Sequence, residues 1–146
     1  MKLTIKRILF YFVSSTWGVI LSTIGLIMMI PFIITKRFRT YHGRIYGIFP
    51  EIFGKNWGFE MGCFFFVADN MKDNDYIKRH ECGHGLQNAI FGPFQIFIQT
   101  ASMLRYWYRE IHFYKRGKQP TTSYDSIWFE RMATDWGTRF VSTDII

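Results

Sequence analysis

The sequence predicts a mainly helical α+β protein, in which an N-terminal transmembrane helix precedes a small domain with a β-hairpin and a metal-binding helix. Three observations lead to this prediction. Residues 8–34 contain no charged side chain, which is typical of a membrane helix. Residues 57–67 alternate with the period of a β-strand. His80 and His84 stand four residues apart in a segment bounded by helix-starting and helix-ending residues.

The uncharged stretch is long enough to cross a bilayer as one helix. It has 27 residues, and at about 1.5 Å each they exceed the ~30 Å hydrocarbon core. A cleaved signal peptide, the alternative, needs a shorter apolar core and a small-residue cleavage site. We therefore predict a membrane helix with basic flanks in residues 1–36 and a metal-binding domain in residues 37–146. The flanking basic residues are Lys2, Lys6 and Arg7 on one side and Lys36, Arg37 and Arg39 on the other.

The charge and its position favour a membrane over nucleic acid as the partner. The formal net charge is +7, and much of the basic charge flanks the apolar stretch, where anionic lipid headgroups would lie. The two flanks of the predicted membrane helix are equally basic, so they leave its orientation in the membrane open. Arg44 slightly favours a cytoplasmic location for the residues that follow the helix. We expect an integral protein of the cell membrane, with its site near the cytoplasmic membrane surface, a lipid bilayer as partner and no nucleic acid. The oligomeric state stays open.

The residues before the two histidines predict a β-hairpin. In residues 57–67, apolar side chains alternate with glycine and other residues, which indicates one strand that is buried on both faces near its end. Gly54-Lys55-Asn56 predicts the turn before this strand. Residues 48–53 are then the first strand of the hairpin, and Pro50 would keep that strand at the edge of a sheet.

A helix from about Asp75 to Phe91 is predicted to carry the two histidines. Asn74 and its acidic neighbours are candidate N-caps, and Gly92-Pro93 ends the helix. Gly83 and Gly85 lie inside it, and each costs roughly 1 kcal/mol relative to alanine. We therefore expect another element of the fold to lie close against this turn of the helix.

The predicted helix contains His80-Glu81-Cys82-Gly83-His84, which reads H-E-x-x-H. Two imidazoles four residues apart share one helix face and can hold one Zn²⁺ ion between them. Glu81 stands beside them and can take a proton from an attacking water. Cys82 points to the opposite side of the helix. The motif therefore predicts His80 and His84 as zinc ligands and Glu81 as the general base.

A catalytic zinc needs three protein ligands and one open position. We favour Glu130 as the third, because it shares a helical stripe with Ala133 and Gly137 in a tail helix predicted over residues 125–141. Small residues there would let the tail helix lie close on the glycines of the motif helix. A solvated glutamate on an amphipathic helix is the alternative. The other candidate ligands downstream are Glu110, His112, Asp125 and Asp135.

A second apolar segment, residues 94–108, lies between the motif and Glu130. Its uncharged part, residues 94–104, is too short for an ordinary membrane crossing. A full crossing would also carry Glu130 to the far side, away from the histidines. We therefore expect this segment to lie along the membrane, to dip in and return, or to pack in the domain core.

H-E-x-x-H followed by Glu130-Arg131-Met132-Ala133-Thr134 resembles the gluzincin metallopeptidases, especially the membrane-embedded peptidases of that group. The resemblance implies a zincin-like domain, a bound Zn²⁺ and a peptide or protein substrate. In the family pattern an Asp follows the Ala and supports a ligating histidine, whereas Thr134 stands there in this chain. Residues 54–58, 79–84, 105–108 and 128–130 also resemble a group of small bacterial membrane proteins.

These features lead to two alternative functions. The first is a membrane-anchored zinc-dependent peptidase, in which metal-activated water hydrolyses a peptide bond and Glu81 is the general base. The second is a non-enzymatic small membrane protein with a structural or vestigial metal site. Glu81 favours the first, because a structural site has no use for a carboxylate beside the metal. The oxyanion-stabilising group stays open among Arg105, Tyr106, Tyr108, His112 and Tyr124.

Overall fold

The computed structural model describes residues 5–141, so the predicted flanking residue Lys2 lies outside the described part of the chain. Within that part, five α-helices accompany one four-stranded sheet, and the predicted mainly helical α+β class is confirmed. The helices are α1 (Ile5–Thr16), α2 (Val19–Ile34), α3 (Asp75–Phe91), α4 (Gln95–His112) and α5 (Trp128–Val141). The strands are β1 (Phe38–Tyr41), β2 (Arg44–Phe49), β3 (Gly58–Met61) and β4 (Phe64–Ala68).

The uncharged N-terminal stretch is not the single continuous helix that the sequence predicts. It breaks between α1 and α2, and the two helices meet at 97°. Gly18 sits at the corner, where an added Cβ would overlap the side-chain amide of Asn88 in α3. Trp17 Nε1 donates a hydrogen bond to the carbonyl oxygen of Ile90 at 3.1 Å. These contacts with the end of α3 fix the corner, which hydropathy does not reveal.

Within residues 5–141, none of the helices taken singly has both the length and the apolar composition for a membrane crossing. The bent pair of α1 and α2 meets these two criteria only when its helices are taken together.

The sheet has the order β1-β2-β4-β3, with two antiparallel hairpins joined by a parallel β2–β4 pair. The predicted long strand of residues 57–67 is itself the β3–β4 hairpin, because Gly62 turns the chain at φ +66°. The predicted first strand corresponds to β2, which ends before Pro50. It does not form the expected antiparallel hairpin with β3, and it pairs in parallel with β4. The alternation of apolar side chains continues on both sides of Gly62, so the two-residue period of a strand could not locate the turn.

Helices cover both faces of the sheet. On one face, apolar side chains of β2 and β4 pack against Phe10 of α1, Cys82 of α3 and Val141 of α5. On the other face, Phe66 of β4 packs against Met29 and Phe32 of α2. The N-terminal helices are therefore layers of the same packed structure. The division into residues 1–36 and 37–146 stays a prediction, although contacts run across it.

The motif helix α3 has the predicted bounds, and Asn74 caps it by accepting a hydrogen bond from the backbone N–H of Ile77 at 3.2 Å. The expected close approach is confirmed at Gly83, where an added Cβ would overlap the carbonyl oxygen of Ala133 in α5. A Cβ added to Gly137 of α5 would likewise overlap the carbonyl oxygen of Arg79. Because α3 and α5 touch through backbone atoms, α5 is held at a fixed depth over the motif.

The second apolar segment forms α4, which continues to His112, beyond the predicted end of the segment. The face of α4 that packs toward the domain is polar, with Gln95, Ser102 and Arg109 buried. Its other face leaves large apolar side chains exposed. Three arrangements were expected for this segment. The contacts show α4 packed against the domain, and they are made by its polar face.

Candidate metal centre

His80, His84 and Glu130 converge at the contact between α3 and α5. Glu130 Oε2 lies 3.1 Å from His80 Nε2 and 3.3 Å from His84 Nε2. One donor atom from each residue lies within 4.8 Å of the other two, and all three side chains are buried. Glu130 is 0% exposed, so the alternative of a solvated glutamate is wrong. Two imidazoles and one carboxylate are a donor set that suits zinc with an open position.

Each histidine is oriented by a hydrogen bond to its other ring nitrogen. His84 Nδ1 lies 2.7 Å from Gln87 Oε1, and His80 Nδ1 lies 2.8 Å from Thr134 Oγ1. Both oxygens accept when Nδ1 carries the proton, and each Nε2, which faces Glu130, is then the atom that would bind a metal. The two rings are thus oriented as a metal ligand requires.

Thr134 occupies the position where the gluzincin pattern has an aspartate. Its hydroxyl donates to Asp125 Oδ2 at 3.2 Å while its lone pair faces His80. Asp125, Thr134 and His80 therefore form a chain of hydrogen bonds. Asp125, a candidate ligand by sequence, lies behind the site instead of in it.

The Glu130 carboxylate has one satisfied and one unsatisfied oxygen. Ser102 of α4 donates a short hydrogen bond to Oε1. Oε2 is buried and has no hydrogen-bond partner among residues 5–141, and it faces both imidazoles. Unpaired buried oxygens are rare in folded proteins and call for an explanation such as a bound ion. The position between Oε2 and the two Nε2 atoms fits a cation.

Electrostatics couple Glu130 to the histidines. Burial alone would raise the pKa of Glu130, but the imidazoles of His80 and His84 beside its carboxylate hold that pKa far below its ordinary value. Burial also opposes protonation of His84, yet its contact with the Glu130 carboxylate and the charges of Glu81 and Glu130 raise the pKa of His84 to about 9. Without a metal, the cluster therefore holds a proton that an incoming cation would displace.

Glu81 lies beside this cluster without belonging to it. Its side chain is buried, and Oε2 has no hydrogen-bond partner among the described residues. Strand β3 approaches it so closely that a Cβ added to Gly58 would lie 2.9 Å from Glu81 Oε1. Burial raises the pKa of Glu81 above its ordinary value. A carboxylate with a raised pKa beside a metal site is suited to proton transfer.

A buried ion pair beneath α3 was not anticipated from the sequence. Arg44 Nη2 lies 3.6 Å from Glu60 Oε1, and both side chains are 0% exposed. Arg44 Nη1 fills the space left by Gly85 and donates to the carbonyl oxygen of Glu81 at 3.3 Å. Burial raises the pKa of Glu60 to about 8. Arg44 is thus an internal support of the motif helix, and the cytoplasmic downstream side that its charge favours stays a prediction.

The remaining candidate ligands lie away from the metal site, whereas one of the oxyanion candidates lies beside it. Glu110, His112 and Asp135 lie outside the metal-binding group that residues 5–141 contain. Among the oxyanion candidates, Tyr124 lies beside the site, with its ring centroid 6.5 Å from that of His80. Arg105 holds this segment by donating to the carbonyl oxygen of Tyr124 at 3.3 Å.

Comparison of the chain with protein-family models, curated proteins and solved structures finds no match.

Removing the Thr134 hydroxyl should weaken zinc binding. Thr134→Ala leaves His80 Nδ1 without its partner, so the ring is less well oriented, and we expect affinity to fall by about 10- to 100-fold. Competition with a fluorescent zinc chelator measures this. Thr134→Ser keeps the hydroxyl and is the matched control, with affinity near that of the wild type. Equal affinities for all three proteins would mean that Thr134 does not orient the ligand.

Proposed function

We propose that the chain is a membrane-anchored zinc-dependent peptidase, with zinc held by His80, His84 and Glu130. One observation carries the proposal. Of the four buried carboxylate oxygens that lack hydrogen-bond partners within residues 5–141, two lie at this site, namely Glu130 Oε2 facing the imidazoles and Glu81 Oε2 beside them. A metal ion would satisfy the first oxygen, and the second would accept a proton from water.

The reaction follows from the positions of these residues. When bound, zinc lowers the pKa of a coordinated water toward neutrality and polarises the carbonyl group of the substrate. Glu81 accepts a proton from the attacking water and then delivers it to the leaving amine. Thr134 and Gln87 accept from the Nδ1 atoms of His80 and His84, so that the Nε2 atoms would hold the zinc.

Tyr124 is our candidate for stabilising the oxyanion. Burial, together with the nearby Glu130 charge, raises the pKa of Tyr124 far above its ordinary value, so its phenol stays protonated and can donate a hydrogen bond. The guanidinium groups of Arg105 and Arg109 lie 6.0 and 5.8 Å from the centroid of its ring. These contacts hold the ring on the side of the site that α4 covers.

Tyr124→Phe should lower kcat by about 10²-fold with little change in zinc content, because it removes a donor used only when the oxyanion forms. Steady-state kinetics on a cleaved peptide, with zinc measured in parallel, check this. Tyr108→Phe is the matched control, since Tyr108 is exposed on α4 away from the metal-binding group. A Tyr124→Phe enzyme with full kcat would remove Tyr124 from the mechanism.

The edge of the sheet suggests how a peptide would bind. Strand β3 is an outer strand of the sheet, and within residues 5–141 its one neighbouring strand is β4. Gly58 at its start lies against Glu81. An extended peptide can add to such an edge through backbone hydrogen bonds. We propose that β3 presents a peptide or protein substrate to the site in this way.

The second candidate function is a non-enzymatic membrane protein with a structural or vestigial metal site. The buried, largely closed environment of Glu130 favours it, because structural zinc sites are closed to solvent. Incubating the zinc-loaded protein with a peptide library distinguishes the two. Cleavage products that disappear with the zinc support the peptidase. Full zinc occupancy without turnover on any peptide would favour the structural role.

Membrane attachment is part of the proposal. The exposed surfaces of α1 and α2 carry many large apolar side chains, which a bilayer would cover. Location in the cell membrane, with the site near the cytoplasmic membrane surface, stays a prediction from the charge pattern.

A further inference from the structure

The two N-terminal helices, α1 and α2, have an inner face and an outer face. The inner face of α2 packs on the sheet through a helical stripe that includes Leu21, Gly25, Met29 and Phe32. The outer face is apolar and exposed to an extent that packed proteins usually avoid. On α2 its residues are Val19, Ile20, Ile24, Leu26, Ile27, Ile30, Ile33 and Ile34.

This outer face continues past the corner onto α4. Trp17 at the corner is half exposed and packs against Gly92, just before the start of α4. Phe94 and Phe97 then extend the apolar surface, at 63% and 70% exposure. Helix α2 also contacts α4 directly. The exposed apolar side chains of both elements thus belong to one connected surface.

Both ends of the helix pair are attached to one β-hairpin. Near the start of α1, the Arg7 guanidinium lies against Gly43, and Tyr11 one turn further on donates to the carbonyl oxygen of the same glycine at 2.7 Å. Gly43 is in the β1–β2 turn. At the end of α2, the chain runs directly into β1, and Arg37 donates to the carbonyl oxygen of Ile48 in β2 at 3.1 Å.

The distance between these attachments is too small for a membrane crossing. Lys36 and Gly43 are seven residues apart along this hairpin, which corresponds to at most about 23 Å. The two basic flanks of a crossing helix must stand about 30 Å apart, on opposite sides of the hydrocarbon core. Here Arg7 and Lys36 lie near the two ends of a single short strand of the same packed structure.

The charge distribution identifies the surface that would cover the outer face. Residues 5–41 contain five lysines and arginines and no aspartate or glutamate, and of the five Arg37 and Arg39 pair with Asp69 and Asp73. The basic residues lie at the ends of the helix pair, and none lies among the apolar residues between them. Apolar side chains bordered by cations match the acyl region and the anionic headgroups of a lipid leaflet.

We infer that the outer face of α1 and α2, with Trp17 and the start of α4, lies in one leaflet of an anionic bilayer and does not cross it. The basic flanks at Lys6 and Lys36 are then on the same side of the membrane, and so is the metal centre. This arrangement does not depend on whether the centre hydrolyses peptides. It replaces the single crossing helix that hydropathy suggests.

Cysteine labelling in sealed vesicles tests the one-sided arrangement. Lys6→Cys and Lys36→Cys, each made separately in the full chain, are treated with a membrane-impermeant maleimide in right-side-out and inverted vesicles. The wild type, whose Cys63 and Cys82 are buried, gives the background. We expect both sites to react in the same vesicle orientation. Reaction of the two sites in opposite orientations would overturn the inference.

Flotation with lipid vesicles tests whether a lipid leaflet covers the outer face of α1 and α2. The purified chain should float with vesicles of phosphatidylglycerol and phosphatidylcholine, and Ile30→Glu should weaken this binding by at least about tenfold. Ile52→Glu is the matched control, because Ile52 is 87% exposed but lies outside the helix pair. Circular dichroism verifies folding of both variants. Equal binding by the two variants, or a stable dimer that does not bind vesicles, would contradict the inference.

Discussion

Glu81→Gln should lower peptide hydrolysis by about 10²- to 10⁴-fold and leave the zinc content unchanged. Glutamine has the shape of glutamate and keeps hydrogen bonding, but it cannot take a proton from water. Glu81 lies beside the metal-binding group without belonging to it, so the ligands should be unaffected. Turnover of a library-derived peptide and zinc content by elemental analysis, on the same preparation, give both values.

Two comparisons make the Glu81 result specific. His84→Ala should lose zinc and activity together, since it removes a ligand. Glu110→Gln changes an acid that lies outside the metal-binding group, and it should leave both values at the wild-type level. Equal turnover by wild type and Glu81→Gln would refute the mechanism.

Gly83→Ala should destabilise the fold and remove the metal site, although alanine is the better helix former. The new Cβ would overlap the carbonyl oxygen of Ala133, a backbone atom that cannot rotate away. Alanine gains about 1 kcal/mol in a free helix, but separating α3 from α5 should outweigh this, for a net loss of about 2 kcal/mol or more. Glu130 would also move away from the histidines. Denaturant unfolding and zinc content measure the two effects.

Gly117→Ala is the control for this substitution. Nothing lies within 4 Å of its added Cβ, and its φ of +65° leaves only a backbone penalty, which is about 1 kcal/mol. Zinc content should not change, because the loop is remote from the site. A Gly83→Ala protein that is more stable than the wild type would mean that the close contact between the helices does not exist.

The site could be predicted from the sequence because its signals are local. The bounds of α3 follow from Asn74 and Gly92, and the four-residue spacing of the histidines fixes their shared face. The small residues of both helices indicated a close crossing, and Gly83 and Ala133 form that contact. This is why Glu130, alone among the downstream acids considered, could be singled out.

The parts of the fold that sequence reasoning missed depend on contacts between distant residues. The corner at Gly18 exists because Asn88, far along the chain, packs there. The uncharged stretch 8–34 resembles one membrane helix because hydropathy does not register the sheet on which Phe32 packs. The parallel pairing of β2 with β4 and the buried Arg44–Glu60 pair also join segments that no local pattern links.

The measurement that tests the central claim most directly is the zinc content of the purified chain after dialysis, for the wild type and for His84→Ala. We expect one zinc ion per wild-type chain, because His80, His84 and Glu130 form a single group. His84→Ala should retain little or none, while circular dichroism shows the same helix content. A wild-type chain without zinc, or a His84→Ala chain with undiminished zinc, would contradict the proposed metal centre.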